Sequence, residues 1–259
     1  KMWSDDLEKR TGGRVKIEWH WSGALAKARE IRKAVAKGLI DGGTWLAAYE
    51  PRTFELSGIS DFPTLLSDNY VGMRSIFELY RKESDIQSEL SNAGIKLVLQ
   101  TTTTPLHIIS RIPIKTLKDL KGTKINGPGY TGQIWKAGFE PKSVTGLPAA
   151  EVYTAFERGL IDVSQSYTWV YLGYGQWEVA PHLTYAYLGN VCAYGLVMNL
   201  KLWQKLPEDI KKIIEDLRED YIEVAAKAFF DAEKEMIEKL KSKGVKIYSL
   251  ADADKEWYK

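Results

Sequence analysis

The stretch "LPEDIKKIIEDLREDYIEVAAKAFFDAEKEMIEKLKSKG", Leu206 to Gly244, constrains the fold most. It reads as one long helix or a kinked pair. Pro207 suits a first helical turn, Glu208 and Asp209 suit the positive end, and Gly244 can stop the helix. Ile210, Ile213, Ile214, Leu217 and Tyr221 form an apolar stripe. At about 1.5 Å per residue, roughly 37 residues reach about 55 Å, longer than a small domain is wide. An element of that length is expected to lie across two lobes.

The 259 residues, 44% hydrophobic and 27% charged, supply enough apolar material for two cores. A net charge of +2 gives no bulk electrostatic case for nucleic acid or an anionic membrane. The apolar runs fall short of a membrane span. The opening "KMWSDDLEKRTGG" reads as the middle of a charged helix, not as a signal peptide. Cys192 is the single cysteine, so no intramolecular disulfide forms, and its apolar surroundings predict a buried, inert thiol. His20, His107 and His182 are scattered, without metal-ligand or triad spacing. No catalytic residue, metal or cofactor is therefore expected.

Strand and helix signals alternate along the chain. Arg14–Trp21 places Val15, Ile17 and Trp19 on one face and predicts a strand. "LAKAREIRKAVAKGL" predicts a helix ending at Gly38, followed by a strand in "DGGTWLAAY". Residues 69–94 predict helix, with Asn69 as N-cap and Gly94 as stop. "IKLVLQTTTTPLHIIS" is a long extended run punctuated by Pro105. A helix from Tyr130, a helix in "AAEVYTAFERGL" and a strand in "IDVSQSY" follow. This alternation predicts an α/β fold with mainly parallel pairing. "KGLIDGG" and "RGLIDVS" share Gly-Leu-Ile-Asp in the same helix-to-strand context, which points to two similar halves.

"KINGPGYTGQIW", Lys124 to Trp135, spells G-x-G-x-x-G through Gly127, Gly129 and Gly132. A dinucleotide loop presents N–H groups after a buried strand. Here the preceding strand is short and polar, and Pro128 removes an N–H. Glu151 lies at about the right distance to hold a ribose but begins a helix. Glycines that let backbone approach a ligand, followed by a helix N-terminus, suit an organic acid equally well. A cofactor-binding α/β enzyme and a ligand-sensing effector domain of a regulator stand as alternatives.

Ser110–Asn126 and Glu151–Val163 resemble two segments of the solute-binding proteins of tripartite ATP-independent periplasmic (TRAP) transporters, "S-x-x-P-I-x-T-x-x-D-L-K-G-x-K-I-R" and "E-x-Y-T-A-L-Q-x-G-x-x-D-G". "GGRVKIEWHWSGALAKARE", "AVAKGLIDGG", "DFPTLLSD" and "NLKLWQKLPEDIKK" match further, in order and over nearly the whole chain. The resemblance begins inside what is usually the family's first helix, so a signal and a first strand are expected upstream. It implies a two-lobed, periplasmic-binding-protein-like fold with a long helix crossing both lobes. Lobe I would comprise residues 1–102 and 191–230, and lobe II residues 103–190 and 231–259, with the ligand cleft between them. The implied role is capture of a small organic acid in the periplasm and its delivery to membrane permease subunits, without chemistry on it.

The family's carboxylate-binding arginine in "K-I-R" is replaced here by Asn126. A second frequent arginine maps to Thr104 or Pro105, and a frequent asparagine to Ser166. The charged clamp is therefore missing. Lys27 is the candidate substitute cation. Trp21, Trp45, Tyr130, Tyr167 and Trp169 map on or near cleft positions, and Asn190 completes the candidate ligand-binding set. These departures predict a ligand that is bulkier and less charged than a small dicarboxylate: an aromatic or otherwise apolar monocarboxylate, or a neutral molecule.

Overall fold

The computed structural model describes residues 2–61, 69–186, 188, 194–250 and 254. Its helices and strands run in the order α1 (Met2–Arg10), α2 (Ile31–Ala36), β1 (Gly42–Leu46), α3 (Asn69–Lys82), α4 (Ser84–Asn92), β2 (Ile95–Thr101) and β3 (His107–Ser110). Next come β4 (Lys124–Asn126), α5 (Gly129–Gly138), β5 (Ser143–Thr145), α6 (Ala149–Glu157), β6 (Val163–Ser166) and α7 (Thr168–Gly173). The chain ends with β7 (His182–Tyr185), β8 (Tyr194–Asn199), α8 (Leu200–Lys205), α9 (Glu208–Ser242) and β9 (Lys246–Ser249). Short 3-10 turns at Ala47–Tyr49 and Ser57–Asp61 follow β1.

Two sheets result, ordered β1-β8-β2 and β5-β4-β6-β3-β7-β9. One face of the first sheet packs Trp45, Ile95, Leu97 and Val197 against α2, α3 and α4. Its other face turns Val98, Leu99, Leu196 and Met198 onto Trp3 and Leu7 of α1 and the first half of α9. The second sheet carries two further cores, one around Ile108, Ile125 and Trp135, the other around Ile109, Phe156 and Tyr171.

Pairing is mixed, not mainly parallel. Strands β4–β5, β4–β6 and β7–β9 run parallel, while β8 runs antiparallel to β1 and β2, and β3 to β6 and β7. The reason is that the extended run 95–110 passes from one sheet into the other. The direction of β3 is thus set by that passage, not by a helical crossover.

The α9 helix is continuous for 35 residues, a span of about 52 Å. Ile210, Ile214, Leu217 and Tyr221 pack with α1 and the first sheet, Ile222 and Ala226 with the core of α3, and Leu240 with the second sheet. Glu233 ties it to that second sheet: its carboxylate lies 3.0 Å from Nε2 of fully buried His107 and accepts the Thr168 hydroxyl.

The Gly-Leu-Ile-Asp echo has a common geometry. Gly38 and Gly159 both take left-handed backbone, φ +72° and +64°. Each donates to a carbonyl three residues back, Val35 and Phe156, and the next residue to one five back, Ala34 and Ala155. This is the Schellman termination of α2 and α6.

Three local expectations fail in instructive ways. Residues 15–21 carry no strand, although burial there does alternate. Val15 and Ile17 rest on the α1–α9 core without any ladder partner among the described residues. The helix expected from Leu25 begins only at Ile31, because turns with left-handed Ser22 and Gly23 precede it. Residues 69–94 form two helices broken at Glu83, which takes extended backbone. Cys192 and the "DFPTLLSD" segment beyond Asp61 lie outside the described residues.

The glycines of the loop serve close packing. An added Cβ at Gly132 would fall on the carbonyl oxygen of Gly127, and one at Gly127 would lie 2.9 Å from the Gly132 Cα. Gly127 and Gly132 let α5 close directly onto the end of β4. Gly132→Ala is expected to lower unfolding stability by about 1–3 kcal/mol, the usual cost of overpacking. In urea titration its midpoint should fall, while that of Gly173→Ala, where an added Cβ meets nothing, should not. Equal midpoints for the two variants would refute the packing role.

Candidate functional site

Strands β4, β5 and β6 are parallel neighbours, so their carboxyl ends share one edge, and α5, α6 and α7 all begin there. Crevices at such edges are where open α/β sheets take ligands. A solvent-open crevice lies at this edge. Its far wall is Leu46, Ala48 and Tyr49, which follow from β1 of the other sheet. Leu106, Leu147, Val152, Tyr167 and Val170 make the near wall largely apolar. Pro128 and Pro148 occupy the N-caps of α5 and α6. The first turns that follow place two positive helix ends at the cavity, an arrangement that favours an anion.

The polar lining is mostly committed to holding the wall together. Asn126 is buried; its Oδ1 accepts the Leu147 N–H at 2.7 Å and the Thr145 hydroxyl at 3.3 Å, and its Nδ2 donates to Ser164 Oγ at 3.2 Å. Gln176 donates to the Ala149 carbonyl at 3.0 Å and accepts from Ser166 Oγ at 3.3 Å. Gln165 donates through Nε2 to the Pro128 carbonyl at 3.1 Å. Its Oε1 is buried and has no donor among the described residues.

Arg29 stands at the rim. It donates to the Tyr49 carbonyl at 2.9 Å and to the Gly146 carbonyl, and its guanidinium lies 5.3 Å from the Tyr49 ring centre. Gly146 belongs to the loop before α6, so Arg29 bridges the two walls. Burial raises the Tyr49 pKa, Arg29 opposes the rise, and Tyr174 adds to it. Burial raises Tyr194 likewise, with Tyr49 and Tyr174 adding to it. Phenols shifted this way stay neutral hydrogen-bonding groups around pH 7.

Among the sequence candidates, Asn126, Ser166 and Tyr167 line the cavity. Trp169 stacks behind Tyr167, centroids 6.2 Å apart. Trp45 belongs to the first core instead, edge-on to Phe54 and Tyr80, because the β1 alternation turns it inward. Trp21 is 60% exposed and stacks on Trp19 beside α1. Lys27 is exposed on the turn before α2, and Arg29, two residues on, is the cation that reaches the cavity rim. Thr104 is buried outside the lining. Tyr130 lies against Gly58, where an added Cβ would come within 2.9 Å of its ring. Asn190 lies outside the described residues. Tyr49, Gln165 and Gln176 also line the cavity and lie outside the set that the sequence points to. Only Gln165 carried a signal, its place in the strand that delivers Ser166.

Among the described residues, no group of three or more His, Cys, Asp or Glu can hold a metal ion, and no helix is long and apolar enough to cross a membrane.

The family model described as bacterial extracellular solute-binding protein, family 7 (DctP), matches residues 1–259. A monocarboxylate 2-oxoacid-binding periplasmic protein of Nostoc sp. is 25% identical over 233 residues, 80% of this chain; the chain spans 57% of that relative's length. The fold is shared with a Bordetella pertussis extracytoplasmic solute receptor binding pyroglutamic acid: TM-score 0.86, 20% identity, 99% of this chain and 84% of that one. It is shared also with a TRAP periplasmic solute-binding protein from Desulfovibrio salexigens with bound orotic acid: TM-score 0.87, 23% identity, 99% and 82% coverage.

Asn126→Ala removes every one of that side chain's bonds and leaves the Leu147 N–H without its acceptor. It is expected to cost about 1–3 kcal/mol of stability and to speed amide hydrogen exchange at Leu147. Unchanged exchange there would mean that Asn126 does not hold this wall.

Proposed function

Because the chain belongs to the bacterial extracellular solute-binding protein family 7, the solute receptors of TRAP transporters, we propose that it captures a small apolar or aromatic monocarboxylate in the periplasm and hands it to a membrane permease. The carrying observation is the cavity itself, closed on one side by residues after β1 and on the other by the parallel strand ends and helix starts of the second sheet. The two sheets would then mark the two lobes, residues 1–102 with 191–230 and 103–190 with 231–259, and α9 their common strut.

The charge balance supports a monocarboxylate. The arginine position of the family is Asn126, and its polar atoms are engaged within the wall. Two helix ends and the rim guanidinium of Arg29 suit one carboxylate, and nothing among the described lining residues offers a second cation. The apolar walls and the Tyr167 ring suit a flat or hydrocarbon body. Relatives named for a 2-oxoacid, pyroglutamic acid and orotic acid bind compounds with a single carboxyl group, while a relative from Rhodoferax ferrireducens has malonate, a dicarboxylate, bound. Binding without turnover fits the described lining residues, among which there is no acid–base pair or activated nucleophile.

Thermal-shift titration tests the ligand class. At about 100 times Kd a ligand stabilises by about 2.7 kcal/mol, or roughly 5–10 °C for a chain of this size. Apolar monocarboxylates are expected to reach that shift and succinate or malonate to fall well short; the reverse order would overturn the assignment. Tyr167→Ala should weaken binding at least tenfold and Trp21→Ala should leave it unchanged, measured by calorimetry.

A further inference from the structure

Among the described residues, Gln165 is the one cavity-lining amide in which an acceptor is left over. Its orientation is not free. Nε2 faces the Pro128 carbonyl at 3.1 Å, and a flipped amide would set two acceptor oxygens against each other. Oε1 is therefore fixed as the atom without a partner among the described residues, and it is buried. The neighbouring amides differ: Asn126 and Gln176 use both oxygen and nitrogen within the protein. A buried acceptor without a donor is unfavourable; Gln165 lines the cavity, so a ligand that displaces the side chains covering Oε1 can supply the proton.

Position narrows the chemistry. Pro128 is the N-cap of α5, so Gln165 is tethered to one of the helix ends that attract the carboxylate. We infer that Gln165 selects a carboxylate bearing a neutral N–H or O–H donor close to its carboxyl group, with Oε1 as the acceptor. This rests on the monocarboxylate-receptor assignment and sharpens it. A plain alkyl or aryl acid brings no proton to Oε1. A second carboxylate brings only acceptor oxygens, which repel it, so the same atom discriminates against dicarboxylates.

Calorimetry with matched pairs of probes tests this: pyroglutamate against cyclopentanecarboxylate, and mandelate against phenylacetate. In the intact protein, the donor-bearing member of a binding pair is expected to bind at least tenfold more tightly. Gln165→Met should erase that preference, mainly by weakening the donor-bearing acid. Gln165→Glu keeps an acceptor but adds a negative charge; it should weaken both members of a pair while preserving their order. Equal affinities within each pair, or a preference that survives in Gln165→Met, would overturn the inference and leave the receptor assignment standing. Failure of all four probes to bind would overturn the assignment and this inference together.

Discussion

A carboxylate on the long helix holds the molecule's halves in register. Glu233 stands on α9, with its side chain only 13% exposed, and takes hydrogen bonds from His107 on β3 and Thr168 at the start of α7. Buried charge of this kind is tolerated only with partners in place. The first half of the same helix is packed onto α1, α3 and the first sheet. Helix, β3 and α7 are therefore fixed to one another, and the residues beside the donors, Leu106 and Tyr167, are walls of the cavity. The cavity inherits its geometry from a tether it does not touch.

The local design at the strand ends follows from one exchange. Asn126 stands where the family resemblance implies a carboxylate-pairing arginine, and its amide stitches β4 to the loop before α6. In the proposed function, charge recognition falls to the helix starts and to Arg29. Those fields are weaker and less directional than a bidentate guanidinium. Under that proposal, apolar contact and a neutral donor gain weight accordingly. The glycines serve the same end: Gly127 and Gly132 bring α5 against β4, so its positive end arrives at the crevice without a phosphate-binding loop.

Features that depend on local spacing were legible in the sequence. The long helix follows from its stripe and its flanking Pro207 and Gly244, and the echoed Gly38 and Gly159 terminate helices by identical bonds. The family membership was readable from ordered motifs. Features set by distant partners were not. The alternation at residues 15–21 is real in burial, yet a strand needs a neighbour that sequence period does not supply. Mixed pairing arises from a passage between sheets that a list of alternating elements does not reveal. At the site, aromatic residues drew attention for their size, but the β1 pleat sends Trp45 into the core while chain reversal leaves Trp21 on the surface. Tyr49 and Gln176 enter the cavity only through tertiary placement, with no motif to mark them.

An experimental structure of the protein with a bound monocarboxylate tests the central claim most directly. The expected result is density enclosed between Tyr49 and Tyr167, its carboxylate against the first turns of α5 and α6. A ligand seated elsewhere, such as against Trp19 and Trp21 beside α1, with this crevice empty, would contradict it.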